Sequence, residues 1–376
     1  MENNFYFKTE KLSVGYNNKA IITDIDINIK KGEIFTLIGP NGSGKSTILK
    51  TITKQLSKVA GLVYIENLNV ENITNKEMAK KLAVVLTQRI RPEMMSCEEV
   101  VASGRYPYTN HFGFLTESDK KIVKASLEKV HALNIANKDF TEISDGQRQR
   151  IMLARAICQQ PDIIVLDEPT SFLDIRYKIE LLDILRKMAK EENITVIMSL
   201  HEIDLASKIS DRVMCVKGDK ISAVGTPEEI FTRNTIEQLY DIKKGSYNML
   251  FGSVELAKPL GEAKVFVIAG AGSGIPIYRK LQKSGIPFST GILYSNDIDY
   301  QAAKALAQDI YFQEAFEPIS EEVFMQSLEA VKKARYVINS GIKIGSFNKY
   351  NGELISFSEN KGNLISLERL EEIRDI

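Results

Sequence analysis

The chain has 376 residues, with 49 Lys and Arg against 49 Asp and Glu, three Cys and no Trp. Its 44% apolar and 26% charged residues are those of an ordinary soluble globular protein, and zero formal net charge excludes a strongly basic nucleic-acid binder and an acidic disordered tail. No apolar run approaches the roughly 18–20 residues of a membrane span, and the start lacks the basic-then-apolar pattern of a signal peptide.

The length predicts more than one domain, at roughly 100–200 residues each. Strands are expected over Phe5 to Phe7, Ile25 to Ile29 and Ile34 to Ile38. A glycine-rich stretch and a helix from about Lys45 to Leu56 follow. Helical periodicity marks Asp119 to Leu133, Gln147 to Cys158 and Ile175 to Ala189. Between these lie the apolar runs Leu82 to Leu86, Ile163 to Leu166 and Thr195 to Ser199. Such alternation predicts an α/β fold with a parallel sheet. Pro259 and Gly261 suggest a linker, dividing the chain into domains 1–258 and 261–376. The second region opens with the strand-like Val265 to Ala269 and then Gly270, Gly272 and Gly274, and it continues in β-α alternation. Cys97, Cys158 and Cys215 form neither a CxxC pair nor a zinc pattern, so reduced thiols are expected.

The segment Gly39-Pro40-Asn41-Gly42-Ser43-Gly44-Lys45-Ser46 fits GxxxxGK[ST] at each defined position, between a strand and a helix. Glycines let main-chain N–H groups turn toward anionic oxygens, and the helix dipole adds to the attraction. Lys45 is expected at the β- and γ-phosphates, the Ser46 hydroxyl at Mg²⁺, and Thr47 at the α-phosphate. The loop alone says nucleotide, and leaves open kinase, GTPase or transport motor. Ile163 to Leu166 then delivers Asp167 and Glu168 at a strand end. Asp167 can hold Mg²⁺ opposite Ser46, and Glu168 can act as general base on the attacking water.

Two further segments narrow the choice. Ser144-Asp145-Gly146-Gln147 begins 99 residues after Lys45, and His201 lies 33 residues beyond Glu168. With Gln88 after the run Leu82 to Leu86, this order resembles the nucleotide-binding subunit of ATP-binding-cassette (ABC) transporters, over about Asn4 to Lys258. The resemblance implies a P-loop ATPase domain with a mixed sheet core, an antiparallel β part and a helical subdomain. It implies that Tyr16 stacks on adenine and that Gln88 senses Mg²⁺ and water and faces the permease. Ser144, Asp145, Gly146 and Gln147 correspond to the signature, which acts in trans on the partner's ATP in a homodimer. Ser171 to Asp174 corresponds to the loop between the two sites, and His201 to the γ-phosphate histidine. The sequence departs from the pattern at Ile143, usually Leu, and at Asp145, usually Gly. If Asp145 adds charge near the γ-phosphate, turnover is expected to be slow.

Gly104-Arg105-Tyr106-Pro107-Tyr108, with the Ser-Asp-Gly-Gln signature, resembles the importers of iron-siderophore, haem and vitamin B12 complexes. A Pro-capped loop after a helix is the plainer reading of that segment. The resemblance implies membrane permease subunits, an extracytoplasmic substrate-binding protein and a peripheral place on the cytoplasmic face of the membrane, with no nucleic acid as partner. The alternative is a soluble non-transport ABC ATPase or a regulatory nucleotide-binding module. Similar α/β extensions occur on some cobalamin- or iron-complex-type ATPases. The small Rossmann-like region 261–376 is read either as an appendage for dimerisation or stability or as a ligand sensor, with Gly270 to Gly274 able to cradle a phosphate.

Overall fold

The computed structural model describes residues 5–86, 94–109, 113–366 and 369. It falls into two units, Met1–Asp241 and Ile242–Ile376.

The strands of the first unit, in chain order, are β1 (Phe7–Tyr16), β2 (Lys19–Ile25), β3 (Asn28–Ile29), β4 (Ile34–Ile38), β5 (Ala60–Ile65), β6 (Leu68–Asn69), β7 (Leu82–Val85), β8 (Ile163–Leu166), β9 (Thr195–Ser199), β10 (Arg212–Lys217) and β11 (Lys220–Gly225). Its helices are α1 (Lys45–Ile52), α2 (Asn75–Lys81), α3 (Cys97–Ala102), α4 (Glu117–Lys129), α5 (Asp145–Cys158), α6 (Ile175–Glu191), α7 (Ile203–Ile209), α8 (Pro227–Ile230) and α9 (Arg233–Leu239).

β4, β8 and β9 are buried at every position. Strands buried on both faces suit the middle of a parallel sheet with layers on either side. They occupy that place in a six-stranded sheet of order β11-β10-β4-β9-β8-β7, parallel except for the β10–β11 pair. A second sheet, β2-β1-β5-β6 with β3 beside β1, is antiparallel. One core joins the two: Phe7, Leu12 and Ile25 meet Ile48 and Leu49 of α1 and Phe35 and Val165 of the parallel sheet. The mixed sheet core and antiparallel part are therefore as expected.

Helices α3, α4 and α5 pack on one another as a helical part. Each begins with a reciprocal capping box: Ser96 with Glu99, Thr116 with Asp119, and Ser144 with Gln147. A cap of this kind is worth about 1 kcal/mol. The segment 103–108 is a 3₁₀ turn. Its Arg105 is buried, with Nε donating to Asp119 Oδ1 at 2.8 Å and Nη1 to Cys158 O at 2.9 Å and Gln160 Oε1 at 3.0 Å. The guanidinium lies 3.9 Å from the Tyr108 ring centre. A Cβ on Gly104 would fall 2.4 Å from the Arg155 carbonyl, so only glycine lets this turn approach α5 so closely. The structural role of the Gly-Arg-aromatic-Pro segment is thus a brace inside the helical part.

The second unit opens with a hairpin of β12 (Ser246–Asn248) and β13 (Ser253–Glu255). Then follow β14 (Val265–Ile268), β15 (Phe288–Tyr294), β16 (Ile310–Gln313), β17 (Tyr336–Asn339) and β18 (Leu364–Ile365), with α10 (Ile275–Lys283), α11 (Ile298–Leu306), α12 (Glu321–Lys333) and α13 (Lys349–Lys361). The sheet order is β16-β15-β14-β17-β18, all parallel. Alternate residues of β14 feed opposite faces. Val265 and Val267 pack with Ile277 and Leu281 of α10 and Ala303 of α11, while Phe266 and Ile268 pack with Val331 of α12 and Leu354 of α13. This is the doubly covered, Rossmann-like sheet that was expected.

The boundary differs from the expected linker at 259–261. Glu255, 1% exposed, is held by both terminal nitrogens of Arg279, and Asn248 Nδ2 donates to Gln301 O at 3.3 Å. These bonds tie the hairpin to α10 and α11, so the division comes at Asp241 and Ile242. Among the described residues, no helix is long and apolar enough to cross a membrane.

Candidate functional site

The loop from Gly39 to Gly44 joins β4 to α1. Gly39, Gly42 and Gly44 take φ of 149°, 76° and 95°, values open to glycine and strained for other residues. Ser43 Oγ is buried without a hydrogen-bond partner. A buried polar atom costs free energy unless a partner is supplied, and a phosphate oxygen in the loop would supply it. Lys45 Nζ donates to the carbonyls of Gly39 at 2.8 Å and Pro40 at 3.0 Å. Burial lowers the Lys45 pKa from its ordinary value, and the charges of Glu168 and Asp167 oppose that shift.

The parallel sheet brings distant residues to this loop. Ser46 Oγ donates to Asp167 Oδ1 at 3.0 Å. Ser199 Oγ, at the end of β9, donates to the same oxygen at 2.8 Å and accepts the Glu168 N–H at 2.9 Å. Glu168 has a left-handed backbone, φ 50°, a strained conformation for a non-glycine residue that its neighbours must hold in place. Its side chain meets His201 Nε2 at 2.5 Å and accepts from Ser171 Oγ at 3.3 Å. Tyr16, 48% exposed, has its hydroxyl 3.4 Å from Thr47 Oγ1. Hard oxygen donors from Ser46 and Asp167 suit Mg²⁺, so the residues present fit that ion.

The signature is built separately. Ser144 caps α5, accepting from Gln147 N at 3.3 Å, and Gln147 Oε1 accepts Ser144 N–H at 3.1 Å. A Cβ on Gly146 would touch Leu173 at 3.4 Å, and Gln149 Nε2 donates to Pro169 O at 3.2 Å. The head of α5 therefore rests on the loop ending at Asp174. Asp174 itself caps α6, accepting Tyr177 N–H at 3.1 Å. Asp145 pairs with Arg148 at 2.8 Å, and Arg148 also donates to the Ile143 carbonyl. The acid in the signature thus has its own counter-charge. Gln88 lies outside the described residues.

Comparison with known proteins decides the family. A model described as ABC transporter matches residues 22–171, and one described as MJ0874 family matches residues 288–376. The ABC transporter ATP-binding protein MJ0873 of Methanocaldococcus jannaschii is 46% identical over 278 residues, 74% of this chain and 96% of that protein. This chain belongs to the ABC transporter ATP-binding proteins. The iron(3+)-hydroxamate import ATP-binding protein FhuC of Bacillus subtilis is 36% identical, over 62% of this chain and 87% of its own length. The cobalamin import ATP-binding protein BtuD of Halobacterium salinarum is 29% identical, over 78% of this chain and 75% of its own. The dimeric, post-hydrolysis structure of the ATP-binding cassette MJ0796 bound to ADP and Pi is similar with a TM-score of 0.53 at 26% identity, covering 59% of this chain and 98% of that one. The cassette described here is accordingly an ATP-binding ATPase.

Two residues with clear places in the site were not singled out by sequence reasoning. Ser199 ties both acids to β9, and Glu202 accepts from Thr170 Oγ1 at 2.8 Å and Lys178 Nζ at 2.5 Å. Both flank His201 within three positions, which is the signal that could have found them.

Proposed function

We propose that this cassette is the ATP-hydrolysing motor of an ABC importer for iron-siderophore, haem or cobalamin complexes. Two copies close head to tail over two ATP molecules at the cytoplasmic face of the membrane. Closure drives permease subunits that receive cargo from an extracytoplasmic substrate-binding protein. Lys45 and the loop amides hold the β- and γ-phosphates, Tyr16 stacks on adenine, and Glu168 takes a proton from the attacking water. His201 orients Glu168 and contacts the γ-phosphate. Ser144, Gly146 and Gln147 complete the partner's site, and Asp174 links the two sites. Ser46, Asp167 and Gln88 would hold Mg²⁺, which when bound neutralises charge on the phosphates.

The observation that carries this reading is the convergence at one strand edge. Ser46 meets Asp167 at 3.0 Å while the next residue, Glu168, meets His201 at 2.5 Å. A general base adjoins a metal-type donor pair, beside a loop able to hold phosphate. Head-to-tail pairing is supported by Phe172 and Ile175, 82% and 77% exposed on either side of Leu173 and Asp174, since large apolar side chains left in water favour a partner surface. Docking of a permease helix is supported by a cavity of about 450 Å³ lined in part by Met78, Leu82, Leu86, Met152, Arg155 and Gln159. The import names of the two relatives above support the cargo class.

The test is Glu168→Gln. It should keep ATP binding, trap the dimer on a sizing column and cut turnover by about 100-fold or more. Undiminished hydrolysis by this variant refutes the assigned role. Isolation of the chain with a membrane permease, and the small molecule which that complex carries, would fix the cargo.

A further inference from the structure

The second unit has the architecture of a dinucleotide-binding fold. β14 is central, the chain builds outward through β15 and β16, then returns to place β17 on the other side of β14. In such sheets ligands sit at the carboxyl ends of the strands, where the order reverses, and a glycine loop after the first strand takes the pyrophosphate. The loop Gly270 to Gly274 occupies that position. Asp297, soon after β15, occupies the region from which an acid would reach a ribose hydroxyl.

The loop is already engaged by its own chain. Ala271 N donates to Asp297 Oδ2 at 2.8 Å, and Gly272 N to Asp299 Oδ2 at 3.1 Å. Gly274 N reaches both Asp299 oxygens, at 3.1 and 3.0 Å, and Ile275 N reaches Oδ1 at 3.0 Å. Asp299 is 0% exposed. Ser273 Oγ donates to Gly270 O and lies 2.6 Å from Ser340 Oγ, at the end of β17. A Cβ on Gly270 would fall 2.5 Å from Ile342 Cδ1, so a side chain fills the space above that glycine.

We propose that this crevice is sealed: Asp299 is an internal stand-in for phosphate, Asp297 is turned from the ribose position onto the loop, and Ile342 covers Gly270. The second unit therefore binds neither nucleotide nor dinucleotide. A phosphate entering here would have to displace a carboxylate held by three amides and then face its charge. Resting on the proposed site in the first unit, this gives the chain one nucleotide per polypeptide.

Equilibrium dialysis of the full chain with ADP and with NAD tests the idea, together with hydrogen exchange of the peptide spanning 270–275. Wild type should bind one ADP and no NAD. That ADP should be lost in Lys45→Ala and kept in Gly272→Asp. Exchange at 270–275 should be slow, unchanged by either ligand, and at least tenfold faster in Asp299→Asn. Two ADP per chain, NAD binding, or a nucleotide site lost in Gly272→Asp would overturn the proposal, as would fast exchange in the wild type that either ligand slows. A wild type that binds no ADP while exchange stays slow counts against the first-unit site and for the sealed loop.

Discussion

The chain contains the same local device twice, a parallel strand running through a glycine-rich loop into a helix, and completes it in opposite ways. In the first unit the loop is followed by Lys45 and Ser46, and its neighbouring acids, Asp167 and Glu168, bond to Ser46, Ser199, Ser171 and His201. In the second unit no lysine follows the loop, and two acids are turned onto its amides. Both arrangements satisfy the same electrostatics, because N–H groups converging at a helix N-terminus favour an anion. In the second unit the chain supplies that anion itself, through Asp297 and Asp299.

The largest expected effect is at the first loop. Lys45→Ala should weaken ATP binding by about 100-fold, the equivalent of about 2.7 kcal/mol for a lost charge-assisted contact, read by calorimetry. Next comes the brace in the helical part. Arg105→Ala leaves Asp119 buried without its ion pair and should lower stability by about 3 kcal/mol in urea unfolding. The pH dependence has a defined sign. Hydrogen bonds from Thr116, then Arg105, hold the Asp119 carboxyl below its ordinary range. The stability it adds is present above about pH 4 and lost as pH falls through its folded value, so the gap between wild type and Asp119→Asn should close in acid. In the second loop, Asp299→Asn should cost about 1–3 kcal/mol, seen as a lower melting temperature, with ATP turnover unchanged. The smallest effect should come from Asp145→Gly. Because Arg148 already balances that acid, turnover should change less than about threefold. A large rise in turnover would show instead that the acid acts on the γ-phosphate, as the sequence alone suggested.

The first site was legible because its residues obey local rules. A glycine loop with Lys and Ser must sit between a strand and a helix, and four apolar residues followed by two acids must end a buried strand. Those rules placed Lys45, Ser46, Asp167 and Glu168, and the family resemblance added His201; the fold brings Ser46 to Asp167 and His201 to Glu168. The second loop was legible as glycines and misleading as chemistry. Asp299 stands 25 residues beyond Gly274, and nothing in a linear pattern says that its carboxylate turns back onto the loop. The domain boundary was hidden for a similar reason. β12 and β13 are three residues each, too short for periodicity, and the Glu255–Arg279 pair that assigns them is a long-range contact. Ser199 was read as part of a strand and proved to be the hinge pin of both acids.

The Arg105 brace also has a mechanical meaning. It grips the Cys158 carbonyl, the last residue of α5, while Ser144 caps the first turn of the same helix. Fourteen residues of helix, about 21 Å at 1.5 Å each, separate the grip from the cap. A clamped rod of that length is a lever arm. Arg105 and Tyr108 hold its far end, at the carbonyls of Cys158 and Gln159, so a shift of that end would be carried along the helix toward the serine and glycine at its tip.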